Sequence, residues 1–145
     1  MNYYFDSSAL TKLFSTELGS DKVKSIVEDG SADIWISDLV RVEIQSAILR
    51  KYRNNEFTER ELEMILTSIR EQLDLFNQFI MSGEIVQEAE QLIATYGKTD
   101  GLRSLDALHI ACWILNSEND WIFVTSDAIQ DKVIHRLNCE SLFVE

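Results

Sequence analysis

The sequence predicts an α/β protein built on a parallel sheet with helices on both faces. Short apolar runs that read as strands alternate with longer segments of helical periodicity. Several of those runs are continuously apolar rather than alternating, as strands covered on both faces are. The 145 residues contain no internal repeat, linker or low-complexity tract, and suit a single domain over residues 1–145.

There is no proline, so helix ends must be set by Gly, Asx and Ser signals. "NYYFD" reads as a short buried strand and "SSALTKLFSTEL" as a helix ending near Gly19. "GSDKVKSIVEDG" reads as a second helix, with Ser20 as N-cap and Gly30 as terminator. "DIWIS" has the β-branched and aromatic content of a strand. "SDLVRVEIQSAILRKYRNN" has helical periodicity, with Leu39, Val42 and Leu49 near one stripe and Val40, Ile44, Ala47 and Ile48 beside it. "TERELEMILTSIREQLDLF" is a long amphipathic helix opened by Thr58 and Glu61 at capping-box spacing. "FNQFIMSG" holds a further strand, and "EIVQEAEQLIATYG" is a helix ending at Gly97. "SLDALHIACWILNS" is apolar on nearly every side, as a buried helix is. "DWIFVTSD" is a strand, "AIQDKVIHRLN" a helix and "SLFVE" a final edge strand.

The formal net charge is −12. At long range that charge repels phosphates and argues against broad, sequence-independent binding of nucleic acid. A local basic patch, or cations bridging acids to phosphate, is compatible with it. No stretch approaches the apolar length of a membrane span, and no basic region followed by an apolar one marks a secretory signal. Cys112 and Cys139 lack the paired spacing of a disulfide framework or a zinc site. A soluble protein of a reducing cytoplasm is the expectation.

Four acids stand out. From Leu105 to Leu115 only Asp106 and His109 are polar, and a carboxylate in the first turn of a buried helix is costly unless paired, hydrogen-bonded or bound to a cation. Capping its own helix behind Ser104 is the plainer role for Asp106, because a helix N-terminus favours an anion. Glu43 lies among Leu39, Val40, Ser46 and Ala47 on a mostly apolar helix face. There it could equally snorkel, or pair with Arg41, Arg50 or Arg53. Asp6 and Asp127 each follow the carboxyl end of a strand, where Asp often caps the next helix. That rim is also where open parallel sheets bind ligands, near the point at which strand order reverses.

Each acid alone is ordinary; jointly they suit a metal centre. Mg²⁺ and Mn²⁺ are hard cations that prefer carboxylate oxygens and keep several waters. Such ions lower the pKa of a bound water, orient it on a phosphodiester and stabilise the leaving oxygen. No cysteine or histidine pair at ligand spacing competes.

"YYFDSSAL", "SDLVRVEIQSAI", "YGKTDGLRSLDALHIACW" and "FVTSD" follow one another with helix-sized gaps. Together they resemble the PIN-domain nucleases, most closely the small VapC-type toxins of bacterial toxin–antitoxin pairs. "LRSLDALHIA" is the most specific stretch, and the resemblance spans nearly the whole chain. It implies a three-layer αβα sandwich around a mainly parallel five-stranded sheet. It also implies that Asp6, Glu43, Asp106 and Asp127 hold Mg²⁺ or Mn²⁺ and activate water for hydrolysis of RNA. Ser7 and Thr125 match positions of hydroxyls that bond the acids or the substrate phosphate, and Arg103 is a cation available to that phosphate. A small antitoxin would bind near the pocket. Two departures from the family pattern are the acidic overall charge and "AIQDKV" after Asp127, where a second acid and an aromatic are more usual.

His109 reads as a core histidine bonded to backbone or carboxylate, and His135 as a surface residue. Cys112 reads as packing, as do Trp35, Trp113 and Trp121, although tryptophans can stack on bases. Packing on its own domain is the default for the helix from Thr58 to about Phe76, which also offers a surface for a homodimer or a partner helix. A metal-dependent endoribonuclease toxin is the expected function. A non-catalytic binding module of the same fold, or a phosphatase or DNA nuclease using the same acids, are its rivals.

Overall fold

The computed structural model describes residues 1–145. Five strands, β1 (Asn2–Phe5), β2 (Asp33–Ser37), β3 (Asn77–Phe79), β4 (Ile122–Thr125) and β5 (Ser141–Phe143), form one sheet in the order β3-β2-β1-β4-β5. Every pairing is parallel. The helices are α1 (Ser7–Leu10), which tightens into a 3₁₀ turn at Thr11–Leu13, α2 (Ser20–Val27), α3 (Leu39–Arg53), α4 (Glu59–Leu73), α5 (Gly83–Asp100), α6 (Ser104–Asn116) and α7 (Ala128–Arg136).

Alternation along the strands sorts side chains into two cores. Phe5, Ile34, Ile36 and Val124 face the layer of α1 to α4, while Tyr4 and Phe123 face α5 to α7. The result is the three-layer sandwich that the alternation of strands and helices implies. The chain builds outward from β1 through β2 to β3, then returns to lay β4 on the other side of β1. The strand order therefore reverses between β1 and β4, and the crevice beyond their carboxyl ends lies between Asp6 and Asp127.

Several element ends differ from the sequence reading. The first helix stops at Leu10 instead of running to Gly19. Thr11 donates its hydroxyl to Ser7 O at 2.6 Å, and Phe14 and Ser15 both bond back to Thr11 O, which closes the chain into a tighter turn. Lys12 is buried and ties the following loop through Leu18 O at 2.7 Å and Glu17 Oε1 at 3.1 Å. Gly19, not Ser20, caps α2, and the Ser20 hydroxyl instead bonds Glu17 N and Ser15 O. Helix α2 ends at Val27, short of Gly30. Helix α5 runs through Gly97 and ends where Gly101 turns left-handed at φ +74°. An interior glycine costs only about 1 kcal/mol, too little to stop a helix anchored by Ile85, Ala89 and Leu92. Arg103 in extended backbone precedes α6, so Ser104 is the first helical residue and not the cap.

Elsewhere chemistry and structure agree. Thr58 and Glu61 form both halves of a capping box, and α4 buries Leu62, Ile69 and Leu73 in its own core. Trp35 stacks on Phe79 at 4.8 Å and packs tilted against Trp121 at 4.9 Å, and Trp113 and Trp121 are buried. The tryptophans are core residues. No helix is long and apolar enough to cross a membrane.

Candidate active site at the β1–β4 rim

Asp6 extends the β1 ladder by one residue, its N–H donating to Val124 O at 3.1 Å, and then caps α1. Its side chain is fully buried. Oδ1 accepts from Ala9 N at 2.9 Å and Ser8 Oγ at 2.8 Å, and Oδ2 from Thr125 Oγ1 at 2.7 Å and Gln130 Nε2 at 2.8 Å. Burial raises its pKa above the ordinary value; the charge on His109 and these hydrogen bonds offset part of the rise.

Thr125, the last residue of β4, also accepts the N–H of Asp127 at 2.9 Å. Asp127 caps α7, with Oδ1 accepting from Ile129 N and Gln130 N, both at 2.9 Å. That cap aims Oδ2 toward Arg103, whose guanidinium stands 3.7 Å away. Asp106 sits in the first turn of α6. Its Oδ1 accepts from Gln130 Nε2 at 3.1 Å. Its Oδ2 is buried without a hydrogen-bond partner, 3.5 Å from Arg103 Nε. Burial first, then repulsion from Asp127 and Asp6, hold this carboxyl above the usual range against the pull of Arg103.

Glu43 reaches the same region from α3. Its partner is none of the arginines expected for it but His109, with Nε2 and Oε1 2.5 Å apart. The other ring nitrogen meets the Tyr4 hydroxyl at 3.2 Å. Burial disfavours the charged imidazole, but the hydrogen bond and charge of Glu43, with Asp6 and Asp106 behind, outweigh it and push the His109 pKa up.

Asp6, Asp106 and Asp127 are thus bridged by Gln130 and Arg103, while Glu43 is bonded to His109 and not to any of the three. No three carboxylate, imidazole or thiol groups converge closely enough to chelate one cation. Gln130 stands between Asp6 and Asp106, Arg103 lies across Asp106 and Asp127, and Glu43 is drawn to His109. The chemistry of the set nevertheless fits a hard divalent ion: its ligands are carboxylate oxygens, they repel one another, and Asp106 Oδ2 is buried without a hydrogen bond. Arg103, the cation now between two of them, is 72% exposed.

Of the hydroxyls, Thr125 bonds an acid, but on the N-terminal side Ser8 does so and not Ser7. Ser7 instead lines the mouth of a groove of about 520 Å³ beside Glu43. The sequence reading did not include Ser8 or Gln130. Gln130 is 2% exposed and lies on the inward stripe of α7 with Val133 and Ile134. A lone amide on an apolar stripe was the signal available for it. His135 is exposed and bonds along its own helix.

The sequence matches the PIN domain family over residues 3–135. Two ribonucleases of Mycobacterium tuberculosis, VapC45 and VapC49, are each 32% identical to it over 108 residues, 74% of this chain and 72% of theirs. Among solved structures, FitAcB from Neisseria gonorrhoeae superposes with TM-score 0.69 at 13% identity, over 97% of this chain and 96% of that one. A toxin–antitoxin complex from Klebsiella pneumoniae gives 0.63 at 21%, over 89% of each chain. VapC20 of Mycobacterium tuberculosis, described as a sarcin-ricin loop cleaving toxin, gives 0.68 at 12%, over 90% and 94%. At these identities the structures speak for the fold.

Proposed function

Since this chain belongs to the PIN-domain family, we propose that it is a divalent-metal-dependent endoribonuclease, the toxin of a toxin–antitoxin pair, made of one such domain. The observation that carries the proposal is the gathering of Asp6, Asp106 and Asp127 at the β1–β4 crevice, with Asp106 Oδ2 buried and without a hydrogen bond beside Arg103. The names of the two ribonuclease relatives supply the substrate class. The Klebsiella complex supplies the antitoxin. A homodimer and a cytoplasmic location complete the reading.

Asp6, Glu43, Asp106 and Asp127 would hold Mg²⁺ or Mn²⁺. The bound ion supplies charge against the phosphodiester and acidifies a water. The protein's own part is orientation. Thr125 is fully buried and donates to Asp6, so it positions that carboxylate and does not touch RNA. His109 does the same for Glu43. Arg103 would give its guanidinium to a phosphate oxygen when an ion takes its place at Asp106 and Asp127, and Ser7 would give a hydroxyl from the groove lining.

The test is cleavage of a defined single-stranded RNA, with DNA and small phosphate esters alongside, in Mg²⁺, Mn²⁺ or EDTA. Wild type should cut RNA only with metal, and Asp106→Asn should lose at least about a hundredfold. Hydrolysis of DNA or esters in preference to RNA would make it a DNA nuclease or phosphatase. Tight Mn²⁺ binding with no hydrolysis would leave a binding module, and no metal binding would make the acids structural.

A further inference from the structure

An enzyme with net charge −12 must still bring a polyanion to four acids, and the groove beside Glu43 offers the route. Helix α3 lines it with one face, residues 39, 42, 43, 46, 47, 50 and 51, beside the buried stripe of Val40, Ile44 and Ile48. Ser7, Ser8 and Thr11 of the first helical turns and Leu105 of α6 complete it. The groove therefore starts at Glu43 and at Ser8, whose hydroxyl bonds Asp6, and leads away from them along α3.

Its charge differs from that of the molecule. Glu17 in the groove is neutralised by Lys12 at 3.1 Å and Lys51 at 3.2 Å. Lys51 is further drawn to Glu56 at 3.6 Å. Arg50 has no carboxylate within ion-pair distance and is exposed. It is the uncommitted cation of the groove. It lies seven residues from Glu43, two turns or about 10 Å along the helix. Hydroxyls of Ser7, Thr11 and Ser46 line the path between. Thr11 spends its hydroxyl on Ser7 O, but the hydroxyls of Ser7 and Ser46 leading to an unpaired guanidinium suit a phosphodiester chain better than a protein segment, which would have to satisfy Arg50 with a carboxylate.

We propose that the α3 groove is the binding path for the RNA strand flanking the scissile link, and that Arg50 clamps a phosphate beyond it. This rests on the ribonuclease reading and specifies where its substrate lies. Arg50 acts on binding, through length-dependent affinity. The exposed apolar side chains at the groove rim, Val42 at 70% and Leu105 at 48% exposure, offer contact to ribose or base faces.

The experiment compares wild type, Arg50→Ala, Arg50→Lys and the control Arg53→Ala, an exposed neighbour on α3 that does not line the groove. Fluorescence anisotropy with labelled single-stranded RNA of about twelve nucleotides is measured over a salt series in an Asp106→Asn background. Cleavage of the same RNA is measured in the active enzyme. Arg50→Ala should weaken binding about tenfold, lower the salt slope by about 0.7, and place its loss in KM rather than kcat. Arg50→Lys should recover part of the affinity, and Arg53→Ala should match wild type. Equal affinity and salt slope for wild type and Arg50→Ala would overturn the groove as the substrate path while leaving the nuclease intact. A wild type that neither binds nor cuts RNA would overturn the ribonuclease reading, and the groove assignment with it.

Discussion

Burying an imidazole costs its hydration, and the cost is recovered only when both ring nitrogens find partners. His109 is 1% exposed and meets that condition, with Glu43 on Nε2 and the Tyr4 hydroxyl on Nδ1. An ionised carboxylate can only accept, so Nε2 carries the proton toward Glu43. The ring thereby fixes where the Glu43 carboxylate lies at the groove head. His109→Leu is expected to leave Glu43 and Tyr4 each short of a partner and to destabilise the fold by about 2–3 kcal/mol, read from urea unfolding. It should also weaken Mn²⁺ binding by about 10- to 100-fold in calorimetry. His109→Gln, which keeps an N–H donor for Glu43, should restore most of the metal affinity. Equal metal affinity in the Leu variant would reduce His109 to a packing residue.

At the scale of elements, the chemistry legible in the sequence was the local kind. The Thr58–Glu61 capping box spans four consecutive residues and folded as its spacing says, and the acids at strand ends lie at the rim that their position implies. What could not be read depends on residues far away. Ser8, and not Ser7, turns toward Asp6 where Thr125 and the Ser126 N–H arrive beside its hydroxyl from the end of β4. Gln130 acquires its role only because α6 and β1 arrive beside α7. Gly19 is the sharpest case, since its reason lies at the opposite terminus. It adopts φ +91°, and a Cβ there would stand 1.9 Å from the carbonyl oxygen of Glu145. Gly19→Ala must therefore strain the left-handed backbone and displace the C-terminal residue that packs beyond β5. A loss of about 2 kcal/mol or more is expected, visible as a lower Tm in a thermal melt. Gly30→Ala, with nothing within 4 Å of its Cβ, should be close to neutral. Similar melts for the two variants would mean that the terminal residue yields without cost.

For the whole molecule, the acids at the crevice and the net charge of −12 act in the same direction on stability. Asp6 and Asp106 have folded pKa values raised from 3.8, chiefly by burial. Their contribution is fully present below 3.8 and is lost as pH rises through the higher folded values. His109 is raised from 6.5, so its contribution is present below 6.5 and is lost as pH rises through its folded value. Glu17 runs the other way. Lys12 and Lys51 outweigh its burial and lower it from 4.5, so its contribution is present above 4.5 and lost as pH falls below. Its partial exposure to solvent, which screens both lysine pairs, makes that the smaller effect. Without metal, then, the fold should weaken as pH rises above 3.8 through the raised pKa values of Asp6 and Asp106, and again above 6.5 through that of His109, because ionisation leaves the crevice carboxylates charged against one another. Asp106→Asn should flatten that slope and, on the order of 1 kcal/mol, stabilise the metal-free protein near neutral pH while abolishing activity. Saturating Mn²⁺ should reverse the slope, since a cation needs the ionised carboxylates and its affinity rises as they deprotonate. The measurement is Tm against pH in EDTA and in Mn²⁺ for both proteins. A Tm that rises with pH in EDTA would show that hydrogen bonds from Ser8, Thr125 and Gln130 already compensate the carboxylates. The fold would then have no need of the ion, and the metal-free crevice would be a finished structural network.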